Sequence, residues 1–206
     1  PDGSFGPERG MTRAEAATIF ARLLAEKNGD NISTVARTKF DDIPAHAWYS
    51  GYVKYLNNHG VAYGKTKTTF APDEAITRAE YTALAVRFFE VYGDGSAEIM
   101  EKYKSFDDVS EGDWAASYIQ AAAKYGWVNG DEDGSFHPSR QITRAEVVTL
   151  TNRLLGRSAD EVYVQEHLRQ LNTFHDLSKR HWAYYEVMES ANAHTAVLGK
   201  NETWSK

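Results

Sequence analysis

Three arginines sit where helix electrostatics disfavours a cation. The tetrapeptide Thr-Arg-Ala-Glu occurs at 12–15, 77–80 and 143–146. In each copy a Thr suited to the N-cap, with Glu three residues on, makes a capping box, so the arginine falls in the first turn of a helix. The macrodipole is positive there, and a cation costs roughly 0.3–1 kcal/mol. Anion recognition is the chemistry that would offset this. Helix N-termini carry N–H groups without intrahelical partners, and a guanidinium beside them adds a planar fork suited to a carboxylate or phosphate. Arg13, Arg78 and Arg144 are therefore candidate ligand-binding residues. The plainer reading ties each of them to an Asp or Glu of the next segment, and the chain has 29 acids to offer.

The remaining chemistry-bearing residues read structurally. Glu15, Glu80 and Glu146 are explained by capping rather than catalysis. Asp42, Asp108 and Asp176 recur before helices as N-cap or turn residues, whereas a glycosidase needs two acids flanking one sugar. Asn129, Asp131, Asp133 and Gly134 match positions 1, 3, 5 and 6 of a calcium loop, but Arg140 stands where the bidentate Glu belongs. The matching stretch 64–70, GKTKTTF, has no carboxylate at all. The seven histidines form no close metal pair, and no phosphate-binding loop or nucleophile motif occurs. No catalytic residue, metal or cofactor is expected. A net charge of −6 argues against nucleic acid, and no apolar run approaches the roughly 20 residues that span a bilayer. The absence of cysteine excludes disulfides and thiolate chemistry. The first residue is Pro1, which points to a processed product or an excised piece that lacks its targeting signal.

What positions the arginines is a repeat of about 66 residues. The arginines are 65 and 66 apart; Phe40, Phe106 and Phe174 open Phe-x-Asp motifs 66 and 68 apart; Trp48, Trp114 and Trp182 each follow by eight. Phe5, Phe70 and Phe136, each in a Phe-x-Pro sequence, precede their arginine by eight. One repeat thus reads as a Phe-x-Asp entry, a Trp-bearing helix, a glycine-rich turn, a Phe-x-Pro loop and the Thr-Arg-Ala-Glu helix. In the third copy the helices are predicted over 113–125 and from 143 to about 155, with Gly126 and Gly156 ending them. The Trp residues are expected on the apolar helix face as core, and Phe5, Phe70 and Phe136 as core plugs. Further helices are expected at 158–171, capped by Ser158 with Glu161, and near 96–104.

The chain opens with the second half of a repeat and closes with a first half. The expected division is 1–39, 40–105 and 106–172, with 173–206 completing the first repeat. Trp182, Tyr184, Tyr185 and Val187 in the closing half need burial, which favours a closed array of three over the alternative, an open array with two ragged ends. Trp204 aligns with Phe136 as an alternative plug.

Residues 106–146, FDDVSEGDWAASYIQAAAKYGWVNGDEDGSFHPSRQITRAE, resemble the S-layer homology domain nearly throughout; 40–80 resembles it more loosely, and the split copy resembles it in both halves. The resemblance implies a mainly α fold, three repeats in a closed pseudo-threefold helical bundle with short loops. It implies a non-enzymatic module at the bacterial cell surface that anchors proteins to the wall. Its implied ligand is an anionic secondary cell-wall polysaccharide, often pyruvylated, held between repeats by the Thr-Arg-Ala-Glu arginines. In this family the glycine-rich loop borders the groove, which adds Asp2, Gly3, Asp133 and Gly134 as ligand-contact candidates. No nucleic-acid partner and no membrane insertion are implied, and the module is expected to be monomeric. The alternative is a structural or protein-interaction module whose grooves its own side chains fill. Because Lys65-Thr66-Lys67-Thr68 replaces the usual loop of the second repeat, the pockets are expected to be unequal, with Arg13 and Arg144 ahead of Arg78.

Overall fold

The structure, a computed structural model, describes residues 2–33, 35–93, 102, 104–197 and 203–205. The helix expected near 96–104 lies largely outside them. The described residues hold seven α-helices and one two-stranded antiparallel hairpin, so the fold is mainly α. They fall into two compact units. The first comprises 1–9 and 143–206, and the second 10–142.

The second unit contains α1 (Arg13–Asn28), α2 (Ser50–Asn58), α3 (Arg78–Tyr92) and α4 (Ala116–Lys124). Each long helix begins at a capping box: Thr12 and Thr77 accept the N3 amide, and Glu15 and Glu80 accept the N-cap amide in return. Such a cap contributes about 1 kcal/mol. Helix α1 packs on α2 and on α3, and α3 packs on α4. Phe20, Tyr81 and Phe88 meet at the centre, ring to ring at 5.4 and 4.8 Å.

The first unit contains α5 (Arg144–Leu154), α6 (Glu161–His167), α7 (Tyr184–Ala191) and the hairpin β1 (Thr195–Val197) with β2 (Thr203–Ser205). Thr143 and Glu146 form the same capping box, and α5 packs on α7. Val164, Leu177, Tyr184, Val187, Met188 and Trp204 are its core. Trp204 is buried as expected, but it fills space beside α6 and stacks on His194 at 3.9 Å. The cap of α6 is Asp160, which takes the Tyr163 amide, rather than the expected Ser158.

The three tryptophans correct the core expectation. Trp48, Trp114 and Trp182 are 55%, 61% and 61% exposed. Helices α2, α4 and α7 begin two residues after them, so each Trp lies in the preceding turn, off the periodic face on which its burial was reckoned. The residue that follows, Tyr49, Ala115 or Ala183, is buried instead.

Phe70 and Phe136 are buried plugs as expected, whereas Phe5 and its partner Phe174 are half-buried. Phe40–Phe70, Phe106–Phe136 and Phe5–Phe174 pack at 5.4, 5.3 and 5.3 Å. The shared Asp adds a bracket. Asp42 accepts the amides of Phe70 and Ala71, Asp108 those of Phe136 and His137, and Asp176 those of Phe5 and Gly6. In each loop the second residue is left-handed: Ala71 at φ 60°, His137 at 56°, Gly6 at 68°. That conformation turns two successive amides toward one carboxylate. These acids are thus cross-braces rather than N-caps. In the split copy the brace joins residues 170 and 171 positions apart in sequence.

Candidate functional site

Each Thr-Arg-Ala-Glu helix docks on the Phe-x-Pro loop of another repeat. In the second unit, the amides of Arg13 and Ala14 donate to the carbonyls of Glu74 and Pro72, and those of Arg78 and Ala79 to Arg140 and Pro138. In the first unit, Arg144 and Ala145 donate to Arg9 and Pro7. The third amide of each helix goes to its Thr cap, and the fourth closes the first helical turn on the cap carbonyl. The helix mouths therefore present no spare amides to a ligand, which corrects the expectation of an N-terminal anion site. In each loop a proline, Pro72, Pro138 or Pro7, and the residue two positions after it supply the two accepting carbonyls.

The arginine side chains turn back to clamp the same loops. Arg13 Nε donates to the Phe70 carbonyl at 2.8 Å, and Arg144 Nε to that of Phe5 at 2.8 Å. All three guanidinium groups lie over the loop phenylalanine: Arg13 on Phe70 at 4.9 Å, Arg78 on Phe136 at 4.7 Å and Arg144 on Phe5 at 4.7 Å. The unfavourable position thus has a structural use, gripping a neighbouring loop by carbonyl and ring together.

Arg13 is 8% exposed. Its Nη2 donates to the Tyr63 carbonyl at 3.0 Å, and its Nη1 lies 3.3 Å from Glu80 Oε1. Burial pulls its pKa below the ordinary arginine value, and the Glu80 charge opposes that. The capping glutamate of one helix is therefore the counter-ion of another repeat's arginine. At Arg13 the plainer reading of the sequence holds alongside a cavity.

The cavity beside Arg13 has a volume of about 430 Å³, within the size range of small-ligand sites. Its wall includes Tyr63, Lys65, Glu80, Arg87 and Trp114. Lys65 Nζ is paired with Glu74 and lies 3.8 Å from Glu80. Arg87 differs from both other cations. Its Nε donates to the Tyr118 hydroxyl at 3.0 Å, and its guanidinium lies over the rings of Tyr63 and Tyr118 at 4.8 and 4.5 Å. Among the described residues it has no carboxylate partner. The sequence carried a signal for it: Arg22, Arg87 and Arg153 each stand nine residues after a Thr-Arg-Ala-Glu arginine.

The loop facing Arg78 has the opposite charge. Asp131 occupies the position of Lys65 and lies 3.5 Å from Arg78 Nη1. His137 Nε2 is 3.3 Å from the same carboxylate. The substitution of lysines and threonines at 65–68 therefore bears on Arg13, not on Arg78 as the sequence order suggested, because each helix docks on a loop from another repeat.

The other candidates are turn residues. Asp2 Oδ1 takes the Ser4 amide and Asp133 Oδ1 that of Ser135, each closing a local turn. Gly3 and Gly134, at φ 81° and 88°, offer carbonyls to His175 and Asp107. Asp133 and Gly134 share their loop with the phenylalanine under Arg78, and Asp2 and Gly3 with the one under Arg144. Neither pair lines the cavity beside Arg13.

The S-layer homology domain model matches residues 1–17, 39–82 and 105–148. Cell surface glycoprotein 1 of Acetivibrio thermocellus is 34% identical over 96% of this chain, which spans 8% of that protein. The Cellulosome-anchoring protein of the same organism is 34% identical over 98% of the chain, which spans 43% of it. An Amylopullulanase of Thermoanaerobacterium thermosulfurigenes is 31% identical over 77% of the chain and 8% of its own length.

Proposed function

We propose that this chain, which belongs to the S-layer homology domain family, anchors a larger protein at the bacterial cell surface by holding an anionic wall polysaccharide in the groove beside Arg13. The module itself carries out no reaction. The relative named for cellulosome anchoring matches nearly all of this chain. The enzyme relative matches over 8% of its length, which leaves the rest of that protein for its own activity. No helix among the described residues is long and apolar enough to cross a membrane.

The observation that carries the ligand assignment is Arg87. It is a cation on a cavity wall, held by two tyrosine rings and, among the described residues, matched to no carboxylate. Its planar fork suits a sugar-borne carboxylate or ketal acid, while Lys65 adds a mobile charge that a ligand can draw from its exposed pairing with Glu74. Arg13 supplies the floor, and Tyr63 and Trp114 supply exposed aromatic surface for sugar rings. The surroundings of Arg78 favour the second reading, an internally satisfied interface, because Asp131 already faces its guanidinium. Anchoring strength then gains from a polymer that offers the acidic sugar repeatedly to this groove.

The test is a double change, Lys65→Gln with Arg87→Gln, which spares the clamp at Arg13. Binding to purified wall sacculi, with and without their acid-labile polymer, is measured by sedimentation. Polymer-dependent binding is expected to fall at least about tenfold with the fold intact, about 1.4 kcal/mol. Unchanged binding would remove this groove as the ligand site.

A further inference from the structure

We propose that the groove beside Arg13 continues past Trp114 into a second subsite that takes an uncharged, hydroxyl-rich sugar ring linked to the acidic one. The proposal rests on the reading above, in which the acidic sugar occupies the first cavity. Trp114 and Glu80 line that cavity and also a second one of about 460 Å³. The Trp114 side chain is therefore a shared wall, and at 61% exposure it leaves much of its ring surface to solvent. A broad apolar ring bounding two adjoining cavities is suited to contact consecutive sugars through their C–H faces.

The two cavities differ in charge, which sets the direction of the ligand. The first has Arg13, Lys65 and Arg87 on its wall against one acid, Glu80. The second has Glu80, Asp108 and Asp113, with no Lys or Arg among its lining residues. Burial raises the Asp108 carboxyl, but the Phe136 and His137 amides outweigh that and hold it below the ordinary range. Asp113 Oδ2 accepts the Ser110 amide at 2.8 Å. Ionised carboxylates only accept hydrogen bonds, so the second sugar must bring donors, as a ring with free hydroxyls does. A second acidic sugar would meet like charge there. Pro138 and Ser139 of the Phe136 loop also line the second cavity, as Lys65 and Phe70 of the Phe70 loop line the first.

The test uses isothermal titration of the intact chain with wall polysaccharide released from sacculi by muramidase digestion, which leaves a ketal-linked acid in place. The polymer is cut and sized into the acidic monosaccharide and the disaccharide joining it to its neutral neighbour. The disaccharide is expected to bind at least tenfold tighter than the monosaccharide. Asp113→Asn, and separately Ser139→Leu to fill the second cavity, are expected to reduce that ratio below threefold and leave monosaccharide affinity unchanged. Equal affinity of the native chain for both fragments overturns the subsite while the anionic reading stands. Loss of monosaccharide binding in both variants also overturns it, since the two cavities would then be one site. No binding of any fragment overturns the underlying reading, and the subsite with it.

Discussion

Truncating Arg13 to alanine removes three contacts at once: Nε to the Phe70 carbonyl at 2.8 Å, Nη2 to the Tyr63 carbonyl at 3.0 Å and Nη1 to Glu80 at 3.3 Å. A hydrogen bond to a charged group contributes about 1.5–3 kcal/mol. Removing one partner of a buried ion pair costs about 3–5 kcal/mol, because the other charge is left behind. These overlap, since the same guanidinium serves all three, so the expected loss for Arg13→Ala is about 3–5 kcal/mol rather than their sum. In a chain of this size that corresponds to a fall in thermal midpoint of roughly 6–20 °C. Arg13→Lys restores charge but not the fork, and is expected to recover less than half of the loss. Arg87→Gln removes one part-buried hydrogen bond and two ring contacts, and is expected to cost about 1 kcal/mol. Differential scanning calorimetry of the three variants tests whether Arg13 is a clamp of the fold and Arg87 is nearly dispensable for it. An Arg13→Ala protein melting within about 2 °C of the native chain would refute the clamp and return Arg13 to the ligand.

Other perturbations reach the remaining features. Asp131→Asn removes the carboxylate facing Arg78; with that side chain 43% exposed, stability should move by less than about 1 kcal/mol, and affinity for an anionic polymer should rise in titration calorimetry, because the Arg78 guanidinium loses this internal anion. Gly64→Ala would bring a Cβ within 2.5 Å of the Thr66 and Thr69 carbonyls and 2.6 Å of Phe40, and Gly130→Ala within 2.5 Å of Phe106 at a φ of 68°. Each should cost about 1–3 kcal/mol in urea titration, with Gly130→Ala the worse of the two for its added backbone strain. The Asp176 carboxyl is held below the ordinary range by the Phe5 amide, then that of Gly6. A depressed folded value means this brace is fully present above the ordinary aspartate range near 3.9 and is lost as pH falls through the folded value. Thermal midpoints should therefore drop below about pH 4, and the drop should shrink in Asp176→Asn.

Much of this arrangement was legible because the chain repeats itself. The capping boxes follow from Thr and Glu at fixed spacing, and all three form. Phe-to-Phe plugs were readable from the shared register. The tryptophans were not, since a two-residue delay in helix onset moved them off the face that periodicity assigned to burial. Arg87 was overlooked although Arg22 and Arg153 repeat its position, because nothing local distinguishes a solvated helix arginine from one on a cavity wall.

The sequence by itself determined the repeat, the three Thr-Arg-Ala-Glu helices and their capping boxes, since these depend on residue types at short, fixed separations. Only the tertiary structure decided which loop each arginine meets. The helix amides are shared with carbonyls of a different repeat, and that exchange sets Lys65 beside Arg13 and Asp131 beside Arg78. The sign of charge in each groove is thus a property of two distant segments brought together, and no window of either segment contains it.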